Sequence, residues 1–217
     1  MTVFAQEAEP AARRSQVARR GESDRRMLRA ATRLIARRGV AGTSLADVGI
    51  AAGYSRGLPA ERFGTKVGLI GTLLEAMDAW FQAHLAKVLE GRSGLEALLL
   101  RIDAHLGSAA RSAAATAALY SIYMESLCVM PELKVGIAAF TDRWRDGLIA
   151  NLREGQKQRE IRAGIDCAAE AMFLLAAMRG LMIQQLMEPS AANLASSRAI
   201  LLSCVRERLA VPRRNPK

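Results

Sequence analysis

The stretch from Thr43 to Lys66, TSLADVGIAAGYSRGLPAERFGTK, constrains this chain most, because it spells two short helices joined by a glycine turn. Ser44, with Asp47 three residues later, has the form of a capping box, and Leu45, Val48, Ile50 and Ala51 follow at near-helical spacing. Gly53 can take the left-handed conformation that ends the first helix, and the Ser55 hydroxyl can cap the second, expected over about Arg56 to Phe63. This is helix-turn-helix grammar, in which the second helix enters a DNA major groove with its N-terminal turn forward. Arg56, Leu58, Pro59, Ala60 and Arg62 would then be offered to bases. Lys66 opens the next helix, where its ammonium and the helix dipole act together on a phosphate.

Charge supports a polyanionic partner. The chain carries a formal net charge of +10 in 217 residues, and residues 1 to 66 hold 13 Lys/Arg against 6 Asp/Glu. Most of the excess therefore lies in the first third, as expected for a nucleic-acid-binding end on a near-neutral body. Hydrophobic residues make up 51% of the chain, enough for a sizeable core, and the abundance of Ala, Leu, Met and Arg with few aromatics predicts an all-α fold.

Four segments are expected. Residues 1–21, rich in Ala and Arg, read as a flexible basic N-terminal arm, either lying along phosphates or merely solvated. Residues 22–66 form the DNA-binding domain: a helix capped by Ser23 or Asp24 runs to about Arg38, followed by the helix-turn-helix with Phe63 as its core plug. Arg25 and Arg26, near the start of that helix, are its expected phosphate contacts. Residues 67–210 continue with a helix from Lys66 to about Glu90 and further helices over about Leu95–Arg111, Ala114–Val129, Glu132–Gln158, Asp166–Glu188 and Ala191–Leu209, about nine helices in all. Residues 211–217 form a loose tail. The helix from Asp166 to Glu188 is apolar around most of its circumference, so burial by its own subunit and by a second copy is expected. Glu170 and Arg179 within it argue against a membrane span.

Ala31, Leu34, Ile35, Gly39, Thr43, Ser44, Val48, Ala52, Gly53, Ser55, Gly57, Phe63, Lys66 and Leu69 occur in the order and spacing of a known pattern, and on them the chain resembles the TetR family of transcriptional regulators. It departs from that pattern at Pro59 and Ala60, where the family usually has Leu-Tyr, and at Gly49, where it usually has Ala. The resemblance implies a repressor, an N-terminal three-helix domain joined by a long helix to a C-terminal helical bundle, and a small apolar or amphipathic effector that releases DNA. It implies DNA contacts at Arg25, Arg26, Thr43, Ser44, Ser55, Arg56, Gly57, Leu58, Arg62 and Lys66. It also implies a homodimer, with Met172, Leu175, Arg179, Gly180, Ile183, Gln184, Met187, Leu201, Val205 and Arg208 as interface candidates, reading a near-palindromic double-stranded operator.

The ligand-lining candidates are His105, Tyr120, Tyr123, Met124, Phe140, Trp144, Met172, Phe173 and Met178, which combine apolar bulk with a few polar tips, although a methionine or aromatic at helical spacing is more often plain core. His84 and His105 stand alone on their helices, and no HExxH, GxSxG, phosphate-loop or GxGxxG pattern occurs, so neither a metal, a cofactor nor an enzyme activity is expected. Cys128, Cys167 and Cys204 are odd in number and widely spaced, which suits a reducing cytoplasm rather than a disulfide framework. The other readings are a helical small-molecule-binding protein with weak or non-specific DNA binding, and a peripheral membrane protein, whose basic helix Gly53-Tyr54-Ser55 would interrupt.

Overall fold

The computed structural model describes residues 9–212, all helices and connections apart from one isolated bridge between Ile161 and Ala210. The α-helices are α1 (Glu9–Arg38), α2 (Leu45–Ala52), α3 (Leu58–Phe63), α4 (Lys66–Val88), α5 (Gly94–Leu106), α6 (Ser108–Arg111), α7 (Ala113–Cys128), α8 (Lys134–Lys157), α9 (Cys167–Met187) and α10 (Ala191–Leu209). A 3-10 turn at Pro131–Leu133 leads into α8. The all-α expectation is borne out; beyond α3 the helix ends move by two residues at most, except that the helix expected over Leu95–Arg111 is broken at Gly107 into α5 and α6.

Residues 9–21 differ from the expected flexible arm: they are the first half of α1. Ala, Arg, Gln and Glu are good helix formers, and a nucleus further along the chain lets them propagate a helix at little cost. Ser23 accordingly lies inside the helix, its hydroxyl donating to Arg20 O at 2.8 Å, and caps nothing. Residues 1–8 of the predicted arm and 213–217 of the predicted tail lie outside the described residues.

The core has two parts. One gathers Met27, Ala31 and Ile35 of α1, Val48 of α2, Leu69, Leu73 and Phe81 of α4, Ile122 of α7 and Trp144 of α8. The other gathers Leu98 and Ile102 of α5, Leu148 and Leu152 of α8, Leu174 and Met178 of α9 and Leu209 of α10. The first part runs across residue 66, so the helix-turn-helix and the body share apolar packing rather than meeting at a polar seam. Six residues of α9 lie in the second part, yet Met172, Phe173 and Met187 on its other side are more than half exposed. By length and composition α9 could cross a membrane, a test that a core helix also passes.

A polar clamp reinforces this continuity. The Glu125 carboxylate of α7 accepts from Val40 N and Ala41 N at 2.6 Å each, in the loop after α1, while Lys66 Nζ donates to Val40 O at 3.0 Å and Ala41 O at 3.3 Å. Burial pushes the Glu125 carboxyl up, but the Ala41 and Val40 N–H groups, the Ser121 hydroxyl and the Lys66 charge outweigh it and hold the carboxyl below its ordinary value. Because that value is lowered on folding, the stabilisation is present above the ordinary carboxylate range and is lost as pH falls through the lowered value. Glu125→Gln should lower unfolding stability by roughly 1–3 kcal/mol at neutral pH and flatten the acid limb of a urea-denaturation series.

Candidate DNA interface and effector cavity

Local chemistry builds the reading unit as its sequence demands. The capping box is complete: Ser44 Oγ accepts from Asp47 N at 3.1 Å and Asp47 Oδ2 accepts from Ser44 N at 3.1 Å. The Ser44 hydroxyl, which donates to Asp47 Oδ2 at 2.7 Å, and the Ser44 N–H hold the Asp47 carboxyl below its usual range. Gly53 adopts φ 79°, left-handed, and its N–H reaches back to the last carbonyls of α2.

The recognition helix α3 is shorter than expected. It starts at Leu58, not Arg56, with Gly57 at the cap and no side-chain bond, so the Ser55 hydroxyl does not cap it. Pro59 explains part of this: a helix capped at Ser55 would close its first bond from the N–H of residue 59 to Ser55 O, and proline has no N–H, whereas it fits the first turn of a helix that starts at Leu58. Pro59 is also buried, not offered to bases. Its ring lies over Gly49: a Cβ there would sit 3.1 Å from Pro59 Cδ and collide with the Ser55 carbonyl. The two departures from the family pattern are therefore one packing event, a small residue under a proline ring.

Several predicted DNA contacts are occupied internally. Arg62 turns inward, its side chain 14% exposed, and meets Asp24 at 3.7 Å and Ser23 Oγ at 3.3 Å on α1. Lys66 serves the Val40 and Ala41 carbonyls. Thr43 is buried with its hydroxyl donated to Gly39 O, Ser44 is committed to the cap, and Leu58 is half-buried against the core. Ser55, Arg56, Gly57 and Ala60 remain exposed around the start of α3. Arg26 stands over the Tyr54 ring at 5.1 Å, beside the turn, whereas Arg25 pairs with Glu22 at 2.9 Å and faces another part of the molecule. Tertiary pairing of an arginine leaves no mark in sequence spacing, which is why Arg56 and Arg62 look equivalent there. Gly49→Ala should lower the melting temperature by several degrees, because the added methyl meets backbone as well as Pro59.

What Arg25 faces is a cavity of about 630 Å³ between α1, α4, α5, α7 and α8. Leu73, Met77 and Phe81 of α4, Leu119 and Tyr120 of α7, Phe140 and Trp144 of α8 and Met182 of α9 supply apolar wall. Of the predicted lining residues, His105, Tyr120, Phe140 and Trp144 take part. The other five do not. Tyr123 is engaged with Thr141 and Arg179, Met124, Met172 and Phe173 are exposed on the outside, and Met178 is packed in the second core. Sequence reasoning missed the α1 and α4 walls, including Trp80 and Arg29. No periodicity distinguishes a helix face against a void from one against core.

At the cavity wall Phe81 stacks on Trp144 with ring centroids 4.0 Å apart, and His105 meets Trp144 edge-on at 4.7 Å. His105 is buried, and neither its Nδ1 nor its Nε2 has a hydrogen-bond partner; Trp144 Nε1 also lacks one. Such groups cost stability and persist where a ligand or water satisfies them. Burial, reinforced by the Arg179 charge, pushes the imidazole down to about 4, so it is neutral at pH 7 and can both donate and accept. For a base lowered on folding from its ordinary value of 6.5, stability falls as pH drops from 6.5 toward 4 and levels off below. His105→Phe should remove roughly 3 kcal/mol of that decline in pH-dependent urea melts and slightly stabilise the protein at pH 7.

The apolar face of α9 carries the predicted dimer residues unevenly. Met172, Gly180, Gln184 and Met187 are exposed, Ile183 and Leu201 are half-buried, and Leu175 and Val205 belong to the subunit's own core. Arg179 donates to Tyr123 Oη at 2.7 Å and Thr141 Oγ1 at 2.9 Å, and Arg208 pairs with Glu170 at 2.6 Å over the Phe173 ring. Nothing lies within 4 Å of a Cβ built on Gly180, so a neighbouring helix can approach there.

Known proteins were compared with this arrangement. Residues 27–73 match the model of the tetR family of bacterial regulatory proteins, and residues 93–210 match the C-terminal domain of BetI-type transcriptional repressors. A TetR-family regulator structure from Rhodococcus sp. superposes with a TM-score of 0.78 at 21% identity, covering 88% of this chain and 100% of that one. FadR from Bacillus subtilis, solved in complex with stearoyl-CoA, gives 0.75 at 18% identity, covering 84% and 97%. A regulator from Saccharomonospora viridis in complex with choline gives 0.76 at 23%, covering 88% and 100%. A comparison with curated proteins returned no match. With both its helix-turn-helix and its C-terminal bundle matched by family models, the chain belongs to the TetR family of DNA-binding transcriptional regulators.

Proposed function

We propose that this regulator acts as a cytoplasmic homodimeric repressor that holds a near-palindromic operator and lets go when a small apolar or amphipathic molecule enters the cavity. The observation that carries the effector part is the unpartnered pair His105 and Trp144 Nε1 in an apolar cavity whose walls include both α1 of the reading unit and α8 of the body. Residues 22–66 do the reading, with Arg56 and the exposed start of α3 forward and Arg26 at the phosphates; residues 67–210 bind the effector and the second subunit. Two reading units add phosphate contacts and select a site with two half-sites about one helical turn apart or more. That the fold of FadR accommodates stearoyl-CoA and the fold of the Saccharomonospora regulator accommodates choline supports an effector role for the body while leaving ligand chemistry open.

Dimerisation is expected through α9 and α10, where Met172, Met187 and Ile200 are exposed beside the open Gly180. A ligand that prefers one separation of the two reading units shifts the pair toward it by as much as its affinity for the two arrangements differs. Selection of bound fragments from genomic DNA should return inverted repeats. Met172→Asp combined with Met187→Asp should give a monomer in sedimentation at micromolar concentration and at least a hundredfold weaker operator binding. A wild-type monomer, or bound DNA lacking a repeat, would favour the weak-binding alternative. Arg56→Ala should relax base preference at one position per half-site by about 1–3 kcal/mol with its fold intact.

A further inference from the structure

The cavity wall is electrically one-sided. Arg25, Arg29 and Arg33 line it from a single face of α1, at successive i, i+4 positions, and no Asp or Glu is among its lining residues. The three span about 12 Å along the helix at 1.5 Å rise per residue. Leu28 and Thr32 lie between them on the same wall, so the cationic heads border an apolar floor. Arg25 and Arg29 are about 60% exposed and share one carboxylate, Glu22, at 2.9 and 3.2 Å; Arg33 has no carboxylate partner among the described residues. Behind the floor, Arg179 places a further positive charge near His105.

We propose that the effector is an anionic amphiphile whose carboxylate or phosphate head is held by Arg25, Arg29 and Arg33 while its apolar chain enters the cavity toward Phe81 and Trp144. This rests on the effector reading given above and narrows it: cationic ligands are disfavoured by the arginine face and the absence of a lining carboxylate, and a purely apolar ligand leaves that face unused. Glu22 acts as the built-in competitor. An exposed pair is individually weak, so a ligand head that engages two guanidinium groups at once displaces it readily. The head would bind directly to the helix that also secures the reader, since Ser23 and Asp24, next to Glu22, hold Arg62 of α3.

Both tryptophans of the chain, Trp80 and Trp144, line the cavity, so their fluorescence reports occupancy. The full chain is titrated with decanoate, decyl phosphate, decanol and decyltrimethylammonium, each below its micelle concentration. Decanoate or decyl phosphate should bind at least tenfold more tightly than decanol, the ammonium should bind most weakly, and comparison of the two anions assigns the head. Substituting Arg25, Arg29 and Arg33 together by Gln should reduce anion affinity at least tenfold and leave decanol within twofold, a contrast that general unfolding cannot produce. Glu22→Gln, which removes the competitor, should strengthen anion binding severalfold. Decanol binding as tightly as either anion, or anion affinity indifferent to the arginines, overturns the proposal but leaves an effector cavity. If no decyl compound perturbs the tryptophans or raises the melting temperature, the effector reading falls with it.

Discussion

Helix α1 is shared between the DNA-reading unit and the body, and most of the structure depends on that sharing. Met27, Ala31 and Ile35 pack into a core that contains Val48 of the helix-turn-helix and Ile122 and Trp144 of the body. A close-packed core does not deform smoothly, so a reader set in the same core as the cavity wall is coupled to it by packing. The Glu125 and Lys66 clamp on the loop at Val40 and Ala41 adds a polar restraint at the other end of α1.

The arginines that make this chain basic are divided by helix geometry. On α1, Arg26 faces the turn before α3, while Arg25, Arg29 and Arg33 share the face toward the cavity. Arg62 ties α3 to α1, and Arg179 and Arg208 are used inside the body. A surplus of positive charge in the first third is thus split between the turn before α3, internal pairing and the cavity rim. The +10 total measures their sum and says nothing of the division.

Much of the architecture was legible in the residues. Ser44, Asp47 and Gly53 encode a helix start and stop through local hydrogen bonds and a backbone preference, and both survive folding unchanged. Asp166 and Ser190 likewise cap α9 and α10. The first half of α1 was not legible as helix, because it lacks an apolar face and borrows its nucleus from the packed half beyond it. The pocket was half legible: His105, Tyr120, Phe140 and Trp144 were found, but Met172 and Phe173 lie on an outer face although their spacing on α9 resembles that of buried neighbours.

What the sequence determined by itself is everything that acts over a few residues: helical content, the capping box, the glycine turn and the excess of charge near the N-terminus. The tertiary structure decided which side chains remain available. Lys66 and Arg62 became internal ties, Pro59 and Gly49 became one packing contact, and three arginines of α1 came to border a cavity whose remaining wall comes from α4 to α9. The physical reason is range. Caps and turns close bonds within three or four residues, whereas the partner of a long cationic side chain is set by which distant helix the core brings against it.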